Sequence, residues 1–174
     1  MPPQTLFVIN DAPRKTLSRE LCVWLQHVGA WPHVRFQDAG QRHEDCQYNT
    51  SIRDALALAE YDEFVFADCD IRPDAVHTRE FLACGADVVG VRYPVEKDTA
   101  WDDPAVIHAG LWRTRREVLQ EIAAPWFLWQ YDAAHTRVTM CPCEYFSRKA
   151  AAAGFSVAQA GYALHEVRNA KLHS

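Results

Sequence analysis

An α/β fold with a mostly parallel central sheet flanked by helices is predicted by three features of this 174-residue sequence. Short apolar segments alternate with segments of helical periodicity, which is the pattern of strands joined by crossover helices. The apolar segments have few polar interruptions, as expected for strands covered on both faces. No repeat, linker or low-complexity stretch divides the sequence, so we expect a single domain over residues 1–174.

Each predicted strand is a short apolar run that ends in polar or turn-forming residues. The predicted strands are residues 5–9, 33–36, 63–67, 86–91 and 106–112, with extended pieces at 155–158 and 162–165. Each predicted helix has apolar residues at spacings of three and four. The predicted helices are residues 17–28, 51–60, 74–83, 115–122 and 144–153. Asn49 or Thr50 is expected to cap the second helix, after an irregular stretch at 41–48.

The composition limits the function classes. The net charge of −5 argues against broad nucleic-acid binding. The sequence has neither a basic and apolar leader nor a run of ~20 apolar residues, so we expect a cytoplasmic protein without a membrane span. Its six cysteines are therefore expected to be reduced thiols. A zinc site at Cys141 and Cys143 is an alternative, with His135 and His165 as further ligands.

Acidic residues follow three predicted strands, and the pair after the third strand is the sharpest feature. The four acids are Asp11, Asp38, Asp68 and Asp70. Ligands of open α/β sheets bind beyond the carboxyl ends of the strands. Two carboxylates at i and i+2 repel each other unless a cation lies between them, and hard oxygen ligands favour Mg²⁺ or Mn²⁺. Alone, the pair is better explained by a helix N-cap at Asp70 beside a solvated acid.

The context of this pair points to a family. The segment N-T-S-I-R-D-A-L at 49–56 precedes the apolar strand that ends in D-C-D at 68–70. Later segments are A-D-V-V-G-V-R-Y-P at 86–94, A-G-L-W-R-T-R-R-E-V-L at 109–119, P-W-F at 125–127, and E-Y-F through A-G-F to a histidine at 144–165. In order and spacing, this series resembles the GT-A glycosyltransferases. The resemblance covers residues 5–167 and implies a Rossmann-like GT-A fold and a metal-dependent transfer from a nucleotide-sugar, preferably UDP-linked.

The resemblance also implies roles for individual residues. The metal, Mn²⁺ or Mg²⁺, would be bound by Asp68, Asp70 and His165, and Asp68 would also contact the ribose. The residues expected around the donor are Asn10, Asp11 and Asp38 at the base, Asn49 and Arg53 at the nucleotide, and Gly110 and Trp112 on the sugar and acceptor side.

The sequence departs from the family at the general base. The family's E-D pair aligns with Pro142-Cys143, and Glu144 stands one residue later. We expect Glu144 to be the base, with Asp102 or Asp103 as second choice. A glutamate in the first turn of a helix also interacts favourably with the helix dipole, which would explain Glu144 without a catalytic role. Tyr48 takes a place that Arg often holds.

The acceptor is expected to bind loops 92–103 and 125–141, where aromatic and cationic residues alternate. Such surfaces fit a saccharide or an unstacked base, so hydroxymethylated DNA is a close second acceptor. The negative net charge favours the saccharide. Arg113, Arg115 and Arg116 form a cluster typical of a solvated helix start, which as a functional patch would favour an anionic acceptor.

Two other functions remain open. A nucleotidyltransferase shares the α/β layering and an acidic metal site, and it usually carries a glycine-rich phosphate loop after the first strand. In this sequence no glycine follows the first strand until Gly29, which counts against that function. A non-catalytic sugar-nucleotide or glycan-binding domain is consistent with the altered E-D pair.

Overall fold

A computed structural model describes residues 4–11, 17–29, 34–38, 44–93 and 103–165, with the main chain alone at 11, 34–38, 44, 45 and 165. The strands are β1 (Thr5–Asp11), β2 (Val34–Asp38), β3 (Glu63–Asp68), β4 (Ile71–Pro73), β5 (Val88–Arg92), β6 (Leu111–Arg115), β7 (Gln130–Tyr131), β8 (Val138–Met140) and β9 (Val157–His165). The helices are α1 (Arg19–His27), α2 (Glu44–Leu56), α3 (Arg79–Ala83), α4 (Arg116–Glu121) and α5 (Pro142–Ala152).

The predicted α/β class is confirmed. Within the described residues, seven strands form one mixed sheet in the order β2-β1-β3-β6-β5-β9-β4, and β7 pairs with β8 in a separate hairpin. Strands β1, β2, β3, β5 and β9 run in one direction, whereas β4 and β6 run in the other. The carboxyl ends of β1, β2 and β3 therefore meet at one edge of the sheet.

Both faces of the sheet are covered, because successive side chains of a strand point to opposite faces. Leu6 and Val8 of β1 belong to one apolar cluster, together with residues of α2, α4 and α5. Phe7 and Ile9 belong to a second cluster, with residues of α1 and α3. The nearly uninterrupted apolar character of β1 and β3 follows from this burial on two sides.

Two helices end as the sequence predicts. Ser18 caps α1, where its hydroxyl accepts a hydrogen bond from the Leu21 backbone N–H at 3.0 Å. Gly29 and Gly154 follow the last turns of α1 and α5 with φ of 68° and 91°, a conformation that favours glycine.

The start of α2 was predicted wrongly. The helix begins at Glu44, so Asn49 and Thr50 lie inside it and do not cap it. The early residues of α2 are polar and give little helical periodicity. Tertiary packing compensates, because the buried ring of Tyr48 lies 4.9 Å from the ring of Phe127.

Other predicted bounds also shift. Strand β6 begins at Leu111, not at 106, and the two terminal extended pieces form the single strand β9. The short strand β4 was not expected. The predicted helix at 74–83 begins as a turn, in which Asp74 Oδ1 accepts from the N–H groups of Val76 and His77, and only Arg79–Ala83 is helical. No helix in the described part of the chain is long and apolar enough to span a bilayer.

Candidate functional site

The edge of the sheet at the ends of β1, β2 and β3 gathers the predicted donor residues. In the parallel register, Asn10 pairs with Asp68, and Asp11 pairs with Asp38. The ends of these three strands therefore meet at the level of the main chain.

Asp68 is the centre of a polar network at this edge. Its Oδ1 accepts a hydrogen bond from the Asn10 side-chain amide at 3.3 Å, and its Oδ2 accepts from the Tyr48 hydroxyl at 3.1 Å. Asn10 is held in turn, because its Oδ1 accepts from the Ser51 hydroxyl at 2.7 Å. Asn10 and Ser51 are both buried to 1% exposure. The orientation of the Asp68 carboxylate is thus fixed from inside the protein.

The chain turns sharply after Asp68 and carries Asp70 to the start of β4. The Cys69 N–H donates to the Asn10 carbonyl at 3.0 Å, and its carbonyl accepts from the Ser18 N–H at 2.8 Å. Antiparallel pairing of β4 with β9 then places His165 opposite Ile71, the residue after Asp70. The main chain of His165 therefore lies beside the acidic turn, as its predicted role requires.

Tyr93 lies behind the two carboxylates. Burial and the nearby charges of Asp68 and Asp70 raise the pKa of its hydroxyl well above the ordinary value of 10.0, so the phenol stays neutral. Gly110 makes room for this ring, because a Cβ at that position would lie 2.7 Å from Tyr93 Oη. The Gly110 carbonyl also accepts from the Asp68 N–H at 2.8 Å. Gly110 therefore contributes to the site through its backbone.

Asn49 joins α2 to the segment after Pro125. Its Oδ1 accepts from the N–H groups of Trp126 and Phe127 at 2.8 and 3.1 Å, and its Nδ2 donates to the Phe127 carbonyl at 2.7 Å. The side chain predicted to steady the donor nucleotide is therefore engaged in positioning this loop. Arg53 is 68% exposed, with its Nε 3.8 Å from Asp54.

Trp112 is a core residue, which corrects its expected place beside the sugar. Its ring is completely buried and stacks on Phe66 with centroids 4.5 Å apart. Phe127 and Phe146 pack against it at 5.5 and 5.1 Å. Because apolar side chains enclose Trp112, it stabilises the core and does not line an open cleft.

The predicted general base lies at the start of α5. Glu144 is 29% exposed, and its Oε1 is 2.6 Å from Arg148 Nη2 one turn later. Asp103 is exposed, and its Oδ1 accepts from the Ala105 N–H at 2.9 Å, a local turn. Asp102 lies outside the described residues, as do the side chains of Asp11, Asp38 and His165.

The arginine cluster at the end of β6 and the start of α4 forms its contacts within the protein. Arg113 pairs with Glu63 at 2.6 Å and donates to the carbonyls of Phe81 and Cys84. Arg116 donates to the carbonyls of Leu56, Leu58 and Tyr61. Arg115 pairs with Asp87 and Glu117. These internal partners make the cluster structural, so it forms no open patch for an anionic acceptor.

No group of three potential metal-binding side chains occurs among the side chains that the structure describes. The described side chains include Asp68, Asp70, Cys141, Cys143 and His135, so these residues alone form no closed zinc site. Two carboxylates still fit Mg²⁺ or Mn²⁺, since such ions keep several waters and take their remaining ligands from substrate phosphates.

No protein-family model matches the chain, and no curated protein matches it in sequence. Among solved structures, the fold is similar to that of A197 from STIV, with a TM-score of 0.64 and 19% identity over 92% of this chain and 83% of that one. It is also similar to the catalytic domain of Drosophila beta1,4-galactosyltransferase 7, solved with xylobiose, with a TM-score of 0.54 and 15% identity. That match covers 90% of this chain and 65% of the fly protein. The chain thus has a mixed α/β fold similar to glycosyltransferase folds.

Proposed function

We propose that this protein transfers a sugar from a nucleotide-sugar, UDP-linked by preference, to a hydroxyl group of a saccharide, with a divalent cation bound to the donor. The observation that carries the proposal is the Asp68 carboxylate, oriented by Asn10 and Tyr48 at the carboxyl end of β3. The likeness to a galactosyltransferase domain supports the fold, and the arrangement at this sheet edge supports the chemistry.

Asp68 and Asp70 would hold Mn²⁺ or Mg²⁺, with His165 as a third ligand from β9. When bound, the cation supplies neutralising charge to the diphosphate leaving group. The chain's own contribution is orientation: Tyr48 and Asn10 each donate to one Asp68 oxygen, which limits rotation of the carboxylate. Such preorganisation lowers the cost of assembling the site around donor and cation.

Glu144 would act as the general base in an inverting transfer. The acceptor O–H gives its proton to the Glu144 carboxylate, the acceptor oxygen bonds to the anomeric carbon, and the bond from that carbon to the diphosphate oxygen breaks. The ion pair with Arg148 holds the Glu144 carboxylate in place at the start of α5. It must loosen when the proton arrives, because the neutral acid no longer attracts the guanidinium.

A saccharide acceptor fits better than hydroxymethylated DNA. A DNA acceptor requires arginines and lysines free to neutralise phosphates. Arg113 and Arg116 are instead bound to carbonyls and to Glu63 inside the protein, and the net charge is −5. Exposed Tyr131 on the β7–β8 hairpin, just before α5, offers an aromatic face of the kind that sugars stack on.

The acceptor preference is tested by transfer of labelled sugar to oligosaccharides and to hydroxymethylcytosine DNA, each at low and high salt. We expect labelling of the oligosaccharides that changes little with salt. Labelling of DNA alone, falling steeply with salt, would show that phosphates are bound and would reverse the assignment.

The ion pair of Glu144 also favours a second candidate, a non-catalytic domain that binds a sugar-nucleotide. Release of UDP from a UDP-sugar, with and without acceptor, separates the two. Calorimetry of UDP with Mn²⁺ or with EDTA tests the donor site itself. Tight binding of UDP without turnover on any acceptor would favour the non-catalytic binding domain. Equal affinity for UDP in Mn²⁺ and in EDTA would show that the donor site needs no metal.

A further inference from the structure

Two cysteines flank Pro142 at the start of α5. Cys141 is the N-cap, and its sulfur accepts a hydrogen bond from the Glu144 N–H at 3.4 Å. Cys143 follows two residues later in the first turn of the helix. Both side chains are half-buried, and no disulfide joins any of the six cysteines, all of which lie in the described residues.

The surroundings of Cys141 favour the thiolate. The hydrogen bond from Cys143 lowers the pKa of the Cys141 thiol to about 6, assisted by the backbone N–H groups of Glu144 and Cys143. Partial burial and the Glu144 carboxylate oppose this shift, but Arg148 lies 2.6 Å from that carboxylate. The N-terminus of the 11-residue helix acts in the same direction as the hydrogen bonds. At neutral pH, Cys141 is therefore largely ionised and partly accessible.

We propose that Cys141 and Cys143 form an oxidisable thiol pair, in which Cys141 reacts with a hydroperoxide or a small disulfide and Cys143 resolves the product. The pair has the two requirements of such a site: a nucleophilic thiolate, and a second thiol two residues away in the first turn of the same helix. Cys46 is exposed on α2 and serves as the comparison thiol. The proposal does not depend on glycosyl transfer.

The chemistry balances without any group from the protein other than the two sulfurs. The Cys141 thiolate attacks the terminal oxygen of a hydroperoxide, the O–O bond breaks, and a proton from water gives sulfenic acid and an alcohol or water. Cys143 then attacks that sulfur, and water leaves as the S–S bond forms. With a small disulfide, the first leaving group is a thiolate and Cys143 displaces the second. Each route oxidises two thiols and reduces one co-reactant.

Oxidation would also change the cap of α5. The hydrogen bond from the Glu144 N–H now ends on a charged sulfur, and such charge-assisted bonds are the stronger ones. In the disulfide this sulfur is neutral, so the first turn of α5 is held less firmly. The same turn carries Glu144, and Ser147 one turn later donates to the Cys143 carbonyl at 2.8 Å.

The first experiment measures alkylation of the intact protein by iodoacetamide at pH 6.5, with peptide mapping over time. We expect Cys141 to react about tenfold faster than Cys46, although Cys46 is the more exposed thiol. Cys143→Ala removes the hydrogen bond to sulfur and should abolish the difference. Equal rates for Cys141 and Cys46 in the unmodified protein would overturn the thiolate assignment.

The second experiment treats the protein with hydrogen peroxide, and separately with glutathione disulfide. We expect the intact mass to fall by the two hydrogens of one disulfide, with a Cys141–Cys143 link in the peptide map. Cys143→Ser should stop at a sulfenic acid that dimedone traps, whereas Cys141→Ser keeps a good N-cap and should not react. Cys46→Ser is the matched control and should behave as the parent. Consumption of thiols without the 141–143 link would refute the pair.

Discussion

The Tyr48 hydroxyl donates a hydrogen bond to Oδ2 of Asp68 at 3.1 Å, and this contact ties helix α2 to the end of strand β3. The tyrosine ring is buried and leans on Phe127, so the hydroxyl is positioned by packing as well as by its own bond. Tyrosine gives Asp68 a neutral donor, and the full negative charge of the carboxylate stays available for a cation.

Tyr48→Phe is expected to weaken binding of Mn²⁺ and UDP by about 10–100-fold, because a partner of a metal-binding carboxylate is lost. The ring and its packing on Phe127 are kept, so the fold should persist with a loss of about 1.5–3 kcal/mol at most. Calorimetry with UDP and Mn²⁺, beside urea unfolding, measures both. Unchanged affinity would mean that Asp68 does not bind the cation.

Asp70→Asn is expected to abolish metal-dependent UDP binding, because the second carboxylate of the pair loses its charge. Asp62→Asn is the matched control, since Asp62 is exposed and precedes β3 at the opposite end of the strand. Equal behaviour of the two variants in calorimetry would show that Asp70 has no special role.

His165→Ala is expected to lower metal affinity by at least ~10-fold and to leave the secondary structure intact. The reason is the pairing of β4 with β9, which carries the main chain of His165 to the turn after Asp70. Circular dichroism measures the secondary structure, and Mn²⁺ titration measures the metal affinity. Full activity of the variant would remove His165 from the site.

Glu144→Gln is expected to lower kcat by ~10²–10⁴ with donor affinity little changed, as for a lost general base. Arg148→Met is the companion variant, because it releases Glu144 from its ion pair while the carboxylate remains. It should lower kcat less than Glu144→Gln does, because the carboxylate that accepts the proton is retained. A loss below tenfold in Glu144→Gln would direct attention to Asp103, or to a retaining mechanism.

The parts of the fold with strong local patterns were predictable. Strands β1 and β3 are apolar runs with clear polar ends, and α1 and α5 have both periodicity and glycine after the last turn. The first turns of α2 were missed because their residues are polar, and the contact of Tyr48 with Phe127 is made far along the chain. Strand β4 was missed because three residues ending in Pro73 give no pattern; proline is tolerated at the end of an edge strand.

The candidate site likewise has features that the sequence predicts and features that it does not. The meeting of Asn10 and Asp68 follows from the parallel pairing of β1 with β3; the sequence predicts a mostly parallel sheet but not which strands are neighbours. The burial of Trp112 does not, because an aromatic residue in a strand gives no sign of which layer will cover it. The internal binding of Arg116 to three carbonyls depends on a loop geometry that no local pattern encodes.

Gly110→Ala is expected to destabilise the protein by about 1–3 kcal/mol, because the added Cβ meets Tyr93 Oη at 2.7 Å and Ile71 Cδ1 at 2.8 Å. Gly85→Ala is the matched control, since nothing lies within 4 Å of a Cβ there, and its effect should stay within about 1 kcal/mol. Urea midpoints at constant m compare the two. Equal midpoints would show that the neighbours of Gly110 give way freely.

The pairing of β4 with β9 also sets an order of events during synthesis. A ribosome releases the chain from its N-terminus, so Asp68 and Asp70 emerge long before residues 157–165. Until then, the turn that holds the two aspartates has no strand to close against, and β5 lacks the neighbour that separates it from β4. Strand β9 therefore completes the sheet beside the turn that holds the two aspartates. A nascent chain arrested after α5 would carry both aspartates on an unfinished sheet.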